Sequence, residues 1–407
     1  MQANETSAIV KRILAAHALA ACCAVTLLAG CATAPPEETK LVWPPAPLAP
    51  RIEFVRSIVS DEDLGRDTTT TQKLLEILAG EKPPPNRVAE PMGIATSDDG
   101  TRIYVSDFAQ AAVFIFDFGS KKFTKLGKDE PLARPSGIAL DGEENLYVVE
   151  QEKKAITVFN RKGELLRSIT DPSIDRPTGI AIDRPRGRIY LTDTGHSKST
   201  AAHIVRMFDL QGKLLGTVGK GKGSDPGQFL FPTFVAVDAQ GNLYVTDTLN
   251  SRVQVFDPDG NYVKSIGERG NAWGMFDKPK GVATDSFGNV YIVDSGWSNV
   301  QIFNQKGQVL LFFGGRGPIP GLLKNPTAIA IDPKNRIYVG DYLNHRIEVY
   351  QLVNTLAQDS YLAAEAQAGK GPEPEPAADD KARAGTADRP TPAAPVPSAG
   401  AEKHPQQ

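Results

Sequence analysis

The sequence predicts an all-β fold: a closed six-bladed β-propeller whose N-terminal strand completes the last blade, flanked by a signal peptide and a disordered tail. Three observations predict it. First, a proline, an alternating apolar run, an Asp/Gly turn and a second apolar run recur six times. The prolines stand at Pro91, Pro135, Pro177, Pro232, Pro279 and Pro326, between 42 and 55 residues apart. Second, each copy continues into a third strand ("VQVFD", "VQIFN", "IEVYQ"), and most add a fourth after a tight turn. Four antiparallel strands recurring at this period are propeller blades. Third, the sixth copy lacks a fourth strand, while "RIEFVRSI" at 51–58 precedes the first. Val55-Arg56-Ser57-Ile58 matches Val263-Lys264-Ser265-Ile266 in register. A strand borrowed from the N-terminus closes the ring and removes two exposed edges.

The elements divide the 407 residues into four parts. Residues 1–30 read as a signal peptide: Lys11 and Arg12, an apolar run, then "LAGC" at Leu28–Cys31. The apolar run from Ile13 to Ala29 is shorter than the roughly twenty residues a spanning helix needs. Residues 31–50 are a Pro-rich spacer, 51–356 the propeller, and 357–407 a Pro/Ala-rich tail with too few large apolar residues to fold. The only cysteines are Cys22, Cys23 and Cys31, so the propeller has neither disulfide nor thiolate metal site. "LAGC" resembles a bacterial lipobox, which implies a lipid on Cys31. Ala32, where an inner-membrane signal places Asp, implies an outer-membrane lipoprotein facing the periplasm or the cell surface.

The repeat P-x-G-[IV]-A-x-D…G-N-[LIV]-Y-V-x-D…N-x-R-[IV]-x-V-F resembles the NHL repeat. The match is tight in the fourth and sixth copies, at Asp247/Asn250/Arg252 and Asp341/Asn344/Arg346. It loosens in the second, with Glu150 for Asp, and in the fifth, with Trp297 and Asn299 for Asn and Arg. The resemblance implies packing anchors at Phe229 and Phe276.

In a four-stranded blade the loops fall on two faces. One face here has only short Asp/Asn/Gly turns, which backbone geometry explains. The other carries the long segments 60–90, 195–203, 219–231, 267–278 and 314–325, and binding groups favour such loops. "TQKLLEILAG" at 71–80 reads as a short helix on this face, a structural clip or a lid. Residues beside the repeat prolines ring the channel mouth. Arg134, Arg176, Lys278 and Lys280 stand there against Glu90, which favours an anionic ligand. Phe108, Trp273, Trp297 and Tyr342 are the aromatic candidates, and aromatics beside arginines are common at binding hot spots.

Three patterns of chemistry bear on catalysis. Six-bladed propellers of the gluconolactonase type hold a divalent cation with carboxylate and amide oxygens, but the mouth positions offer one carboxylate. The aspartates Asp107, Asp193, Asp247, Asp294 and Asp341 recur once per blade, which points to a structural role. An amidating-lyase-like zinc site needs several inward histidines, and His196 with His203 supply two on one loop. No nucleophile elbow or phosphate loop is present. These observations predict no catalytic residue, no metal, no cofactor and no enzyme. They predict a monomeric binding or sensing module of the envelope whose partner is an envelope protein or an anionic glycan. A metal-dependent propeller hydrolase or lyase is the alternative. A net charge of −3 on an exported chain argues against nucleic acid.

Overall fold

The computed structural model describes residues 40–65, 85–128, 130–196 and 202–355. The signal peptide expected at 1–30, Cys31, the helix expected at 71–80 and the tail expected from 357 lie outside them. The N-terminal strands are β1 (Val42–Trp43) and β2 (Ile52–Ile58). Blade 1 is β3 (Pro91–Thr96), β4 (Arg102–Asp107), β5 (Ala112–Asp117) and β6 (Lys122–Leu126). Blade 2 is β7 (Pro135–Leu140), β8 (Leu146–Glu150), β9 (Ala155–Phe159) and β10 (Leu165–Thr170). Blade 3 is β11 (Pro177–Asp183), β12 (Arg188–Asp193), β13 (Ile204–Asp209) and β14 (Leu214–Val218). Blade 4 is β15 (Pro232–Val237), β16 (Leu243–Asp247), β17 (Arg252–Phe256) and β18 (Tyr262–Ile266). Blade 5 is β19 (Pro279–Thr284), β20 (Val290–Asp294), β21 (Asn299–Phe303) and β22 (Val309–Gly314). Blade 6 is β23 (Pro326–Ile331), β24 (Arg336–Asp341) and β25 (Arg346–Leu352), completed by β2 and then β1.

The closure follows the register read from the sequence. Ile58 lies opposite Ile347, Ser57 opposite Glu348 and Arg56 opposite Val349. A bulge between Phe54 and Arg56 leaves Val55 exposed, while Ile52 and Ile58 are fully buried. The Ser57 hydroxyl donates to the Glu348 carboxylate at 2.6 Å. The innermost strands β3, β7, β11, β15, β19 and β23 each pack on the next, and β23 packs on β3.

The P-x-G glycine sits where these inner strands approach most closely. A Cβ on Gly179 would lie 2.6 Å from the Thr233 carbonyl, so only glycine fits. The fourth and sixth copies depart, with Phe234 and Ala328. Phe234 packs both on the core of blades 4 and 5 and on the core of blades 6 and 1, across the ring. The channel is therefore apolar below its mouth, lined by Ile94, Ile138, Ile180, Val235, Val282 and Ile329.

The repeated tyrosines explain the short-turn face. Tyr147, Tyr244, Tyr291 and Tyr338 are buried between blades, and their hydroxyls donate to Asp141, Asp238, Asp285 and Asp332 at 3.0–3.2 Å. Each of these aspartates also caps its own turn, as Asp238 does for the Gln240 and Asn242 amides. Burial, reinforced by the adjacent carboxylate, pushes the Tyr147 phenol up to about 12.

Candidate active site at the channel mouth

The strand-end carboxylates are structural. Asp107 accepts the N–H groups of Ala89, Glu90 and Gln110. Asp193 accepts those of Asp175 and Arg176, and Asp294 those of Asp277 and Lys278. Glu150 does the same for Ala133 at 2.6 Å. Each carboxylate thus pins the segment that leads into its own blade, which sets the residues flanking the proline. In blades 4 and 6 the NHL pattern completes the pin. Asn250 donates to Asp247 at 2.8 Å and Arg252 at 2.9 Å; Asn344 donates to Asp341 at 2.6 Å.

Those pinned segments assemble a cavity of about 360 Å³ on the long-loop face. It brings together five of the eight expected binding residues: Phe108, Arg134, Arg176, Lys280 and Tyr342. Met92, Gln151, Asn325 and Thr327 complete the lining. Arg134, in left-handed backbone at φ +56°, lays its guanidinium 4.3 Å over the Phe108 ring. Its ion pair with Glu152, 3.6 Å apart, is exposed. Among the described residues neither the Arg176 guanidinium nor the Lys280 ammonium has a hydrogen-bond or ion-pair partner. Lys280 is half-buried, and burial together with the neighbouring Lys278 pushes its ammonium down to about 8. Tyr342 hydrogen-bonds the Glu90 carboxylate; burial and that charge raise its phenol.

The other three candidates lie elsewhere. Lys278 lines a neighbouring depression with Arg316, Lys324 and Leu343. Lys278 precedes β19 and is exposed, whereas Lys280 lies within the strand and is half-buried. Trp273 and Trp297 line a separate notch on blade 5. Gln151 was missed, although the repeat marks it: it follows the second strand of its blade, as Phe108 and Tyr342 do. His196 and His203 do not share a site. His203 is fully buried, accepting the Phe231 N–H at 3.1 Å, while exposed His196 pairs with Asp175 at 3.1 Å.

A hard cation does not fit this mouth. Its lining holds no carboxylate, the nearby Glu90 and Glu152 are engaged by Tyr342 and Arg134, and three cationic side chains share the space. Among the described residues no three His, Cys, Asp or Glu side chains come together as a metal site.

Residues 229–256 and 323–350 match the NHL repeat model. The propeller contains NHL repeats. Residues 81–195 of this propeller match the SMP-30/gluconolactonase/LRE-like region, a span that holds Phe108, Arg134, Gln151 and Arg176. The propeller superposes on a gluconolactonase from Xanthomonas campestris with a TM-score of 0.52, at 17% identity over 77% of this chain and 100% of that one. It superposes on an auxiliary nutrient-binding protein from Bacteroides ovatus with a TM-score of 0.50, at 15% identity over 65% and 69%. A curated relative, the Drosophila melanogaster protein brain tumor, is 25% identical over 152 residues, 36% of this chain. The match spans only 14% of that relative's length. These findings correct the expectation of a non-enzyme. The region that builds half the mouth matches a model named for an enzyme, and the fold is shared with a gluconolactonase. The expectation rested on the missing carboxylate set of the gluconolactonase type, and the lack of that one set does not exclude catalysis by other groups.

Proposed function

We propose that the NHL-repeat propeller is a hydrolase of small acyl substrates, chiefly lactones of sugar acids, and that the channel mouth is its active site. The observation that carries this reading is the partnerless Lys280 amine, which burial keeps easy to deprotonate, beside Arg176 in a cavity of substrate size. In lactone hydrolysis water adds to the acyl carbon, the ring C–O bond breaks and a hydroxy acid forms. The neutral Lys280 amine takes the proton from water and returns it to the leaving ring oxygen. Arg134 and Arg176 face the negative charge that develops on the acyl oxygen and persists in the product carboxylate. Gln151 and Asn325 supply neutral hydrogen bonds for the substrate hydroxyls. The test is turnover of a panel of aldonolactones by the purified chain, with and without added divalent cations. Turnover is expected, and Arg176→Ala is expected to lower kcat/KM by about 100-fold, the worth of one oxyanion donor. Saturable binding without turnover would leave the mouth a ligand site and remove the enzyme.

We also propose that the protein is held at the envelope by a lipid on Cys31, the residue that ends "LAGC". Metabolic labelling with a radioactive fatty acid in a Gram-negative host is expected to mark the wild-type chain and leave Cys31→Ser unlabelled. Equal labelling of both would remove the anchor.

A further inference from the structure

Blade 5 departs from its neighbours at one slot. In blade 4, Arg252 stands opposite Asp247 in the ladder. Its Nη2 donates to the carbonyls of Gln228 at 3.0 Å and Asp225 at 3.1 Å. In blade 6, Arg346 stands opposite Asp341, and its Nη2 donates to the carbonyls of Ile319 at 2.8 Å and Leu322 at 3.1 Å. The same guanidinium pocket therefore repeats. In blade 5 the residue opposite Asp294 is Asn299. The repeat places Ala272 and Met275 where its neighbours have those carbonyl pairs, 47 residues away on either side.

The frame of the pocket is intact. Gln254 accepts the Gly227 N–H at 2.8 Å and donates to Gln228 at 2.6 Å; Gln301 accepts that of Gly274 at 3.0 Å and donates to Met275 at 2.8 Å. Trp297 takes the place of Asn250, and its indole N–H donates to the Gly270 carbonyl at 3.1 Å, as Asn250 does to Gly223. The guanidinium is what is missing. A cavity of about 200 Å³ remains, lined by Ala272, Met275, Asn299, Trp273, Trp297 and Phe312. Asn299 Oδ1 is buried there without a donor. Asp294 beneath is fully buried and, among the described residues, meets no cationic side chain, whereas Asp193 and Asp247 each meet an arginine. The walls are aromatic and open to solvent. Trp273 is 71% exposed and stands edge-on to Phe312 at 5.0 Å, and Trp297 is 43% exposed.

We propose that the blade 5 slot takes a guanidinium from outside, the arginine side chain of a partner protein, between Trp273 and Trp297 and onto Asn299 and the Ala272 and Met275 carbonyls. The planar fork suits several acceptors in one plane, and indole faces favour a weakly hydrated cation; an ammonium fits neither feature as well. Asp294 supplies the charge that the neighbouring blades already use. The site is separate from the channel mouth and stands or falls apart from the lactonase reading.

The test is a tryptophan-fluorescence titration of the full-length chain with N-acetyl-arginine amide, with the lysine and citrulline amides as controls. Trp43, packed on Phe313 and Tyr350, gives a constant background. A saturating change with the arginine amide is expected in the millimolar range, at least tenfold weaker with lysine and lacking with citrulline. Asn299→Arg, which fills the slot from within as Arg252 does, is expected to abolish the response and raise Tm. Trp273→Ala, at an exposed position that leaves the fold intact, is expected to weaken binding several-fold. No saturation up to about 100 mM, a lysine amide that binds equally well, or an unchanged response in both variants would each overturn the proposal.

Discussion

Removal of residues 40–58 is expected to abolish the cooperative thermal unfolding of the propeller, or to lower its Tm by 15 °C or more. Calorimetry or far-UV circular dichroism of the shortened chain measures it. The deletion takes β1 and β2 from blade 6 and leaves β25 an open edge. Ile52 and Ile58, both fully buried, are each worth roughly 2–3 kcal/mol of burial. Tyr350, now sealed and ringed by Trp43, Phe54 and Phe313, would face water on one side. Glu348, also buried, would lose the Ser57 hydroxyl that helps satisfy it. Together these losses approach the whole stability of a typical domain. A Tm within a few degrees of the intact chain would mean that the other five blades hold the ring without its clasp.

Lys280→Met is expected to lower kcat/KM at least 100-fold on any lactone the wild type turns over, the usual worth of a positioned base. In the wild type, kcat is expected to rise as pH passes about 8, where the amine loses its proton, and the variant's residual rate is expected to lack that step. The groups around Lys280 are Lys278 before it, Arg134, Arg176 and Tyr342 on the cavity wall, and Glu90 behind Tyr342. Of these, Lys278 pushes in the same direction as burial. The stability of the wild type should rise with pH as well. The folded pKa lies below that of an unfolded lysine, so the unfolded chain binds the extra proton between about 8 and 10.5 and stability rises with pH across that window. Below it, wild type carries a half-buried charge that methionine lacks, and the variant should be more stable by about 2 kcal/mol. That gain should fade as pH approaches 10. A variant that keeps full activity, or that loses stability at pH 7, would remove Lys280 from the chemistry.

The fold was legible because a propeller is a local pattern repeated. Alternating strands, Asp/Gly turns and the P-x-G glycine each have a short-range cause, and six copies make them redundant. Even the closure could be read, since "RIEFVRSI" carries the alternation of a fourth strand. The mouth was legible in part. Arg134, Arg176 and Lys280 flank repeat prolines, Phe108 and Tyr342 follow second strands, and the ring gathers all five into one cavity. Lys278 falls in the neighbouring depression with Arg316 and Lys324, a partition that the residues beside each proline do not reveal.

The number of blades, their order, the residue types at each turn and the strand that closes the ring are all written in the chain's local pattern. All of these depend on contacts between residues close in the chain or in register with a repeat. Tertiary structure decided what shares a space. It set Lys280 half-buried beside Arg176 from two blades away, and it separated Trp273 and Trp297 from the channel. It also showed Asn299 standing where the neighbouring blades carry a guanidinium. Desolvation and cavity shape belong to the surroundings of a side chain, and segments more than a hundred residues apart build those surroundings.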